Sequence, residues 1–222
     1  MLTLHHLNDS RSQRILWLLE ELGVDYQLEK YQRDAKTNLA PAALKAVHPL
    51  GRSPVLTTDN GAIAESGAIV EYLITHYAKD SFTTPTSPED HQQYLFWMHF
   101  AEGSLMPPMV ARLVLEKARE KASKPLFIKP ITHRLIDGIL DAYYGPNLER
   151  SLRYVEAYLA EHEWFAGNGP TGADVQMIFP LESLVARGRG DTFSAIKGYV
   201  SRIHARPAYQ RALEKAGDYS YA

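Results

Sequence analysis

The sequence predicts an α/β N-terminal domain followed by an all-α C-terminal domain. Strand and helix patterns alternate in the order β-α-β-α-β-β-α over the first 80 residues. Residues 81–88 are rich in serine, threonine and proline, which is typical of a linker. Beyond that segment, helical periodicity outweighs any strand pattern. We therefore expect domains at residues 1–80 and 89–222, joined by residues 81–88.

The N-terminal domain is predicted to open with a βαβ unit. Residues 2–6 form a short, half-alternating apolar segment that indicates a strand. The stretch "SRSQRILWLLEELG" has apolar residues at helical spacing and ends at Gly23, which can adopt the left-handed cap conformation. Residues 24–31, "VDYQLEKY", alternate with period two and predict a second strand. A short helix is expected over residues 40–46.

A β-hairpin and a helix are predicted to complete this domain. Residues 54–58 and 62–64 read as strands joined by the turn Asp59-Asn60-Gly61. Ser66 is expected to cap a helix over residues 68–77.

The C-terminal domain is predicted to contain only helices. A long helix over residues 89–108 should be interrupted at Met106-Pro107-Pro108 and continue over residues 110–122, and further helices are expected over residues 131–143, 148–162, 173–184 and 195–205. The stretch "TGAD" places Thr171 three residues before Asp174, which matches a capping box with aspartate in place of glutamate or glutamine. A folding role is therefore expected for this pair.

Composition excludes several functional classes. A net charge of −2 gives no basic field for nucleic acid or an anionic membrane. The absence of cysteine removes disulfides and any cysteine nucleophile, so sulfur chemistry would need a thiol from a ligand. The nine histidines show no metal-ligand spacing, so no metal is expected. No signal peptide or membrane span is apparent, and we expect a cytoplasmic protein.

Three short motifs admit both a structural and a functional interpretation. Glu65-Ser66 at a helix start could be a solvated carboxylate and a cap, or a cradle for the two charges of an α-amino-acid group. Ser53-Pro54 could be a trans proline opening an edge strand, or a cis turn that presents backbone to an extended peptide. The segment "NDSRS" could simply cap the first helix, or it could stabilise an anion such as a thiolate.

The chain resembles the glutathione transferases through "HPLGRSPVL", "AESGAIVEYL" and "TGADVQMIFPL", and the likeness extends over nearly its whole length. "SRSQRILWLLEELG", "HPLGRSP" and "YLFWMHFAEGSLMPP" more narrowly resemble a bacterial and fungal subgroup. The resemblance implies a thioredoxin-like N-terminal domain, an all-helical C-terminal domain, and glutathione as co-substrate.

The resemblance also implies roles for individual residues. Pro54 corresponds to the family's cis-proline, the Ser53 backbone would pair with the cysteinyl part of glutathione, Glu65 and Ser66 would hold the γ-glutamyl end, and Arg52 would reach the glycyl part. The family's thiolate-activating residue is Tyr, Ser or Cys. No tyrosine follows the first strand, so Ser10 is the best positional match, with Asn8 and Ser12 as alternatives.

We therefore expect a homodimeric glutathione transferase that directs the glutathione thiolate at a small electrophile. Trp97, Ala101 and Met106 are expected to face that electrophile, although core packing is the competing interpretation for each. A glutathione-dependent peroxidase or isomerase on the same site is one alternative. A non-catalytic binding or scaffold protein is another, because a fold does not establish a function.

Overall fold

In the computed structural model, which describes residues 1–121 and 129–222, the N-terminal domain is a four-stranded sheet with helices. The strands are β1 (Leu2–Leu7), β2 (Tyr26–Tyr31), β3 (Val55–Thr58) and β4 (Gly61–Ala64), and the helices are α1 (Ser12–Leu22), α2 (Ala43–Val47) and α3 (Ser66–Tyr77). The spatial order is β2-β1-β3-β4, with β1 parallel to β2 and antiparallel to β3. This arrangement confirms the predicted order of elements.

Helix α1 lies at the centre of the molecule. Its residues from Ser12 to Glu20 are buried, because it packs against α3 of its own domain and against two helices of the other. Gly23 ends α1 in the left-handed conformation, with φ 61°, as the sequence predicted. Burial on all sides explains the continuous apolar run from Ile15 to Leu19.

The described part of the C-terminal domain is helical. Its helices are α4 (Pro88–Phe100), α5 (Met106–Lys121), α6 (Lys129–Ile139), α7 (Gly145–Glu161), α8 (Gly172–Leu184), α9 (Ser194–His204) and α10 (Pro207–Ala216). Within the described residues, no helix combines the length and apolarity needed to cross a membrane. The predicted helix over residues 110–122 is found as far as Lys121, and its last residue lies outside the described residues.

Two features of this domain differ from prediction. Helix α10 was not predicted, because it buries only small or amphipathic side chains, such as Ala208, Tyr209 and Ala212. The break in the long helix was predicted at the prolines but lies before them, as a π-helical turn over Ala101–Leu105. Since Pro107 and Pro108 lack N–H groups and crowd the carbonyls four residues earlier, the distortion falls in the preceding turn.

The capping box at the start of α8 is confirmed. The Thr171 hydroxyl accepts from the Ala173 N–H, and the Asp174 carboxylate accepts from the Thr171 N–H at 2.8 Å. Asp174 is completely buried and also accepts from the Phe165 N–H at 3.1 Å and the Tyr199 hydroxyl at 3.0 Å. Every residue of α8 is buried, so this carboxylate secures the central helix of the domain.

Candidate functional site

Three loops meet at one end of the sheet. His5 on β1 is paired with Val55 on β3, and Val55 with Ala64 on β4. Extending this pairing by two residues places Leu7 of β1, Ser53 before β3 and Ser66 after β4 together. They lie at one end of the strands, and this end of the sheet is called its edge below. The Ser53 hydroxyl donates to the His5 carbonyl at 3.0 Å and fixes the loop there.

The Ser53–Pro54 peptide bond is cis, as the family resemblance implied. Pro54 is buried, and the backbone N–H and C=O of Ser53 make no hydrogen bond to the described residues. Arg52 is exposed beside this edge. The unpaired backbone of Ser53 can therefore accept and donate to an extended ligand, as a sheet edge does.

Glu65 and Ser66 begin α3 differently from prediction. The N-cap position is Glu65, with no side-chain cap hydrogen bond, so the expectation that Ser66 caps this helix is wrong. Glu65 is exposed and holds φ 70°, an unfavourable backbone conformation for a residue other than glycine. Ser66 is buried, and its hydroxyl accepts from the Arg14 Nη2 at 2.8 Å. Strain of this kind is found at functional sites.

Arg14 connects this edge to the C-terminal domain. Its fully buried side chain donates to Ser66, to the Gln176 carbonyl of α8 at 2.5 Å, and to Glu102 in the π-helical turn. Arg11 also donates to Glu102, at 2.9 and 3.0 Å. Burial alone would raise the pKa of Glu102, but the two guanidinium groups hold it below its ordinary value. Sequence reasoning missed Arg14, although a cation at the edge of a buried apolar helix is itself a signal.

The β1–α1 turn contains a hydrogen-bonded chain of three side chains. The Ser10 and Ser12 hydroxyls lie 2.8 Å apart, and the Ser12 hydroxyl lies 2.9 Å from Nδ1 of His6. Burial, assisted by the charge of Lys30, lowers the pKa of His6 to about 4, so its ring is neutral near pH 7. The Ser12 hydroxyl also accepts from the Leu7 N–H at 3.1 Å and lies 3.2 Å from the Leu7 carbonyl oxygen.

These contacts separate the three candidates for thiolate stabilisation. Ser12 is completely buried and its hydroxyl meets interior partners, which favours a structural role in the turn. Ser10 is also buried, with 5% of its surface exposed, and its hydroxyl accepts from the Ser12 N–H at 3.2 Å. The side-chain oxygen of Asn8 accepts from the backbone N–H of Arg33, while its side-chain nitrogen makes no hydrogen bond to the described residues. These contacts favour Ser10 and Asn8 over Ser12 as the candidates for the thiolate donor.

A cavity of about 830 Å³ lies between the two domains. Its N-terminal side is lined by Asp9, Arg11, Arg33 and Asn38. The other side is lined by residues of α5, α7 and α8 and by the C-terminal segment, residues 217–222, which follows α10. Met106 lines the cavity, as expected. Trp97 and Ala101 do not: both are completely buried in the core, where Trp97 packs against the Phe165 ring. Met106 begins α5 after the π-helical turn, whereas Trp97 lies before that turn in α4.

The C-terminal segment closes one side of this cavity. The backbone N–H and hydroxyl of Ser220 both donate to the Asp9 carboxylate at 2.9 Å. Tyr221 lines the cavity and packs edge-on against Phe179, with ring centroids 5.8 Å apart. Asp9 itself holds φ 48° directly before Ser10. Sequence reasoning did not identify this segment, because its contacts join residues more than 200 positions apart.

The residues that the structure describes hold no cluster of three or more His, Cys, Asp or Glu side chains suited to a metal ion. The candidate site thus consists of an unpaired backbone edge, a strained glutamate at a helix start, and an adjoining turn rich in hydroxyl groups. This combination can hold a peptide with an α-amino-acid end, and the cavity beside it can hold a second molecule.

Comparison with known proteins identifies the class. The family model "Glutathione S-transferase, N-terminal domain" matches residues 1–75, and "Glutathione S-transferase, C-terminal domain" matches residues 142–207. The chain therefore belongs to the glutathione S-transferase family, a family of enzymes. Glutathione S-transferase 3 of Schizosaccharomyces pombe is 36% identical, over 98% of this chain and 89% of that protein. Glutathione S-transferase 1 of Saccharomyces cerevisiae is 30% identical, over 97% and 95%.

Solved structures share the fold. A glutathione S-transferase from Actinobacillus pleuropneumoniae has a TM-score of 0.80 and 31% identity, over 97% of this chain and 93% of that chain. A sphingomonad glutathione S-transferase, solved in complex with glutathione, has a TM-score of 0.73 and 21% identity, over 97% and 98%. These similarities confirm the thioredoxin-like N-terminal and helical C-terminal architecture.

Proposed function

We propose that this chain binds glutathione at the edge formed by Ser53, Glu65 and Ser66 and conjugates its thiolate to an electrophile in the interdomain cavity. The observation that carries the proposal is the unpaired Ser53 backbone beside the cis-proline, at the same sheet edge as the strained Glu65. Family membership and the glutathione complex of the sphingomonad relative support the choice of ligand.

The γ-glutamyl end matches the charges at the start of α3. Glu65 would pair with its ammonium group, and the first N–H groups of α3 would bind its carboxylate. Because the Ser66 hydroxyl oxygen already accepts from Arg14, its proton is free to be donated to that carboxylate. The charge of Arg14 strengthens this donor. Arg52 would bind the glycyl carboxylate from its exposed position.

The cysteinyl sulfur would lie near the β1–α1 turn. We propose that Ser10 donates its hydroxyl proton to the thiolate, supported by the N-terminus of α1, with Asn8 as the alternative donor. In this arrangement the Ser12 hydroxyl donates its one proton to the Ser10 oxygen at 2.8 Å and accepts from Nδ1–H of His6 at 2.9 Å, which leaves the Ser10 proton for the thiolate. A thiol with an ordinary pKa of about 8.5 would then be substantially ionised at neutral pH.

The test is an ultraviolet difference spectrum during titration with glutathione, followed by a rate assay with aryl halides, enones, epoxides and hydroperoxides. A thiolate band and conjugate formation are expected. A thiolate band with turnover of hydroperoxides alone would favour the peroxidase alternative, and turnover by isomerisation alone would favour the isomerase. Glutathione binding without a thiolate band would favour the non-catalytic alternative.

We further propose a cytoplasmic homodimer, by analogy with the family. Sedimentation at micromolar concentration should then give about twice the chain mass of 25.0 kDa. A single boundary at the mass of one chain would refute the dimer.

A further inference from the structure

The interdomain cavity carries more positive than negative charge. Its lining contains six cationic side chains and two carboxylates, namely Arg11, Arg33, Arg112, Lys117, Arg187 and Arg189 against Asp9 and Glu116. A cavity lined mainly by one sign of charge concentrates ligands of the opposite sign. The local excess contrasts with the net charge of −2 for the whole chain.

Half of these cations are neutralised by carboxylates. The three ion pairs are Arg11–Glu102 at 2.9 Å, Arg112–Glu116 at 2.7 Å and Arg189–Glu149 at 2.8 Å. The remaining carboxylate of the lining, Asp9, is bound by the N–H and hydroxyl of Ser220. The fixed negative charges of the lining are therefore already engaged.

Among the described residues, Arg33, Lys117 and Arg187 have no carboxylate partner. Arg33 donates to backbone carbonyls, including those of Asn8 and Asp9, and lies on the side where glutathione would bind. Lys117 on α5 and Arg187 in the turn after α8 lie on the opposite, helical side. Arg187 lies over the Tyr221 ring at 6.0 Å.

The backbone after α8 explains how Arg187 reaches the cavity. A π-helical turn over Val185–Arg189 follows α8, and Gly188 within it departs from helical geometry with φ 81°. The chain changes direction here, so side chains of this turn project into the cavity rather than along the helix. Apolar side chains line the same cavity, among them Met106, Leu113, Phe179 and Tyr221.

We propose that the electrophilic substrate carries an anionic group, a carboxylate or sulfonate, on an apolar body. Lys117 and Arg187 would bind the anion, while Phe179 and Met106 would contact the body. The proposal rests on the conjugation function proposed above and narrows its substrate class. With an aryl halide, the glutathione sulfur forms a C–S bond to the ring carbon, and the halide leaves with the electron pair of the broken bond.

The experiment compares two electrophiles that differ only in charge, a chlorodinitrobenzoate and the corresponding chlorodinitrobenzamide. Each kcat/KM is divided by the uncatalysed second-order rate with glutathione, which removes the difference in intrinsic reactivity. We expect the protein to favour the benzoate by about tenfold, which corresponds to two favourable charge pairs in a partly solvated site. The preference should shrink as salt is raised.

The variant Lys117→Gln/Arg187→Gln should abolish this preference and change the benzamide rate by less than about twofold. Its matched control is Lys36→Gln/Arg150→Gln, which removes the same charge from exposed positions outside the cavity lining. The control should retain the preference. If the two double variants show the same preference for the benzoate, the proposal is wrong, because the preference would then arise from the net charge of the protein and not from the cavity.

Two further outcomes separate this inference from its premise. A raised KM for glutathione in the cavity variant, with an unchanged benzoate preference, would overturn the proposal by assigning the cations to glutathione. If the protein accelerates the reaction of glutathione with neither electrophile, the proposed conjugation function is wrong. Calorimetry with the unreactive dinitrobenzoate and dinitrobenzamide then tests the inference alone: tighter benzoate binding that the cavity variant loses supports it, and equal binding overturns it.

Discussion

The edge of the N-terminal sheet and the cavity between the domains are built in different ways. The edge uses backbone groups whose positions follow from strand register, the cis-proline and the strained Glu65. The cavity wall uses side chains from α5, α7, α8 and the C-terminal segment, which converge only in the folded molecule. A backbone-built site leaves short, contiguous motifs in the sequence, whereas a side-chain-built site leaves scattered residues. The predictions below test this division.

The largest effect is expected where both regions depend on one helix. Asp174 secures α8, which supplies the Gln176 carbonyl to Arg14 and Phe179 to the cavity. Asp174→Ala should lower the free energy of unfolding by about 3–5 kcal/mol, because it leaves buried donors without an acceptor. Urea denaturation measures the loss. Glutathione affinity per folded molecule should be unchanged, and unaltered stability would refute the capping role.

The same carboxylate predicts a pH dependence of stability. Burial, opposed by hydrogen bonds from Thr171 and Phe165, raises the pKa of Asp174 from 3.8 to about 6. The folded state therefore holds this proton more tightly than the unfolded chain does. The protonated Asp174 carboxyl therefore adds to the free energy of unfolding in full below about pH 4. This addition falls by about 3 kcal/mol as the pH rises from about 4 to about 6. Asp174→Asn cannot titrate, so its stability curve should lack this fall; parallel curves for the two proteins would contradict the assignment.

Ser10→Ala tests the chemistry at the junction of the two regions. It should raise the pKa of bound glutathione and lower turnover at neutral pH by roughly ten- to a thousandfold, the range for losing one anion-stabilising donor. Turnover should partly recover at high pH, where the thiol ionises without help, and glutathione affinity should change little.

Asn8→Ala and Ser12→Ala serve as comparisons in the same pH profiles. Ser12→Ala should mainly destabilise the protein, because four interior hydrogen-bond partners meet at its hydroxyl. If Asn8→Ala reproduces the loss of turnover and Ser10→Ala does not, the role belongs to Asn8. If none of the three alters the profile, backbone N–H groups or water must stabilise the thiolate.

The smallest effects are expected for individual contacts to the γ-glutamyl end. Glu65→Gln and Ser66→Ala should each weaken glutathione binding by roughly 1–3 kcal/mol, as for a hydrogen bond to a charged group. Calorimetry measures this change, with the exposed Glu161→Gln and Ser81→Ala as controls that should bind normally. Ser66→Ala also removes an acceptor from Arg14, so its unfolding must be measured in parallel. Unchanged affinity in both site variants would exclude this edge as the binding site.

By itself, the sequence determined the order of elements in the N-terminal domain, the Gly23 cap, the Thr171–Asp174 capping box and the family. These features depend on local periodicity, on backbone preferences of glycine and on contacts three residues apart. Only the tertiary structure decided which hydroxyls of the β1–α1 turn are engaged, that Arg14 joins Ser66 to α8, and that Met106 rather than Trp97 or Ala101 faces the cavity. The physical reason is that these outcomes depend on contacts between segments that are distant in the sequence, which no local pattern records.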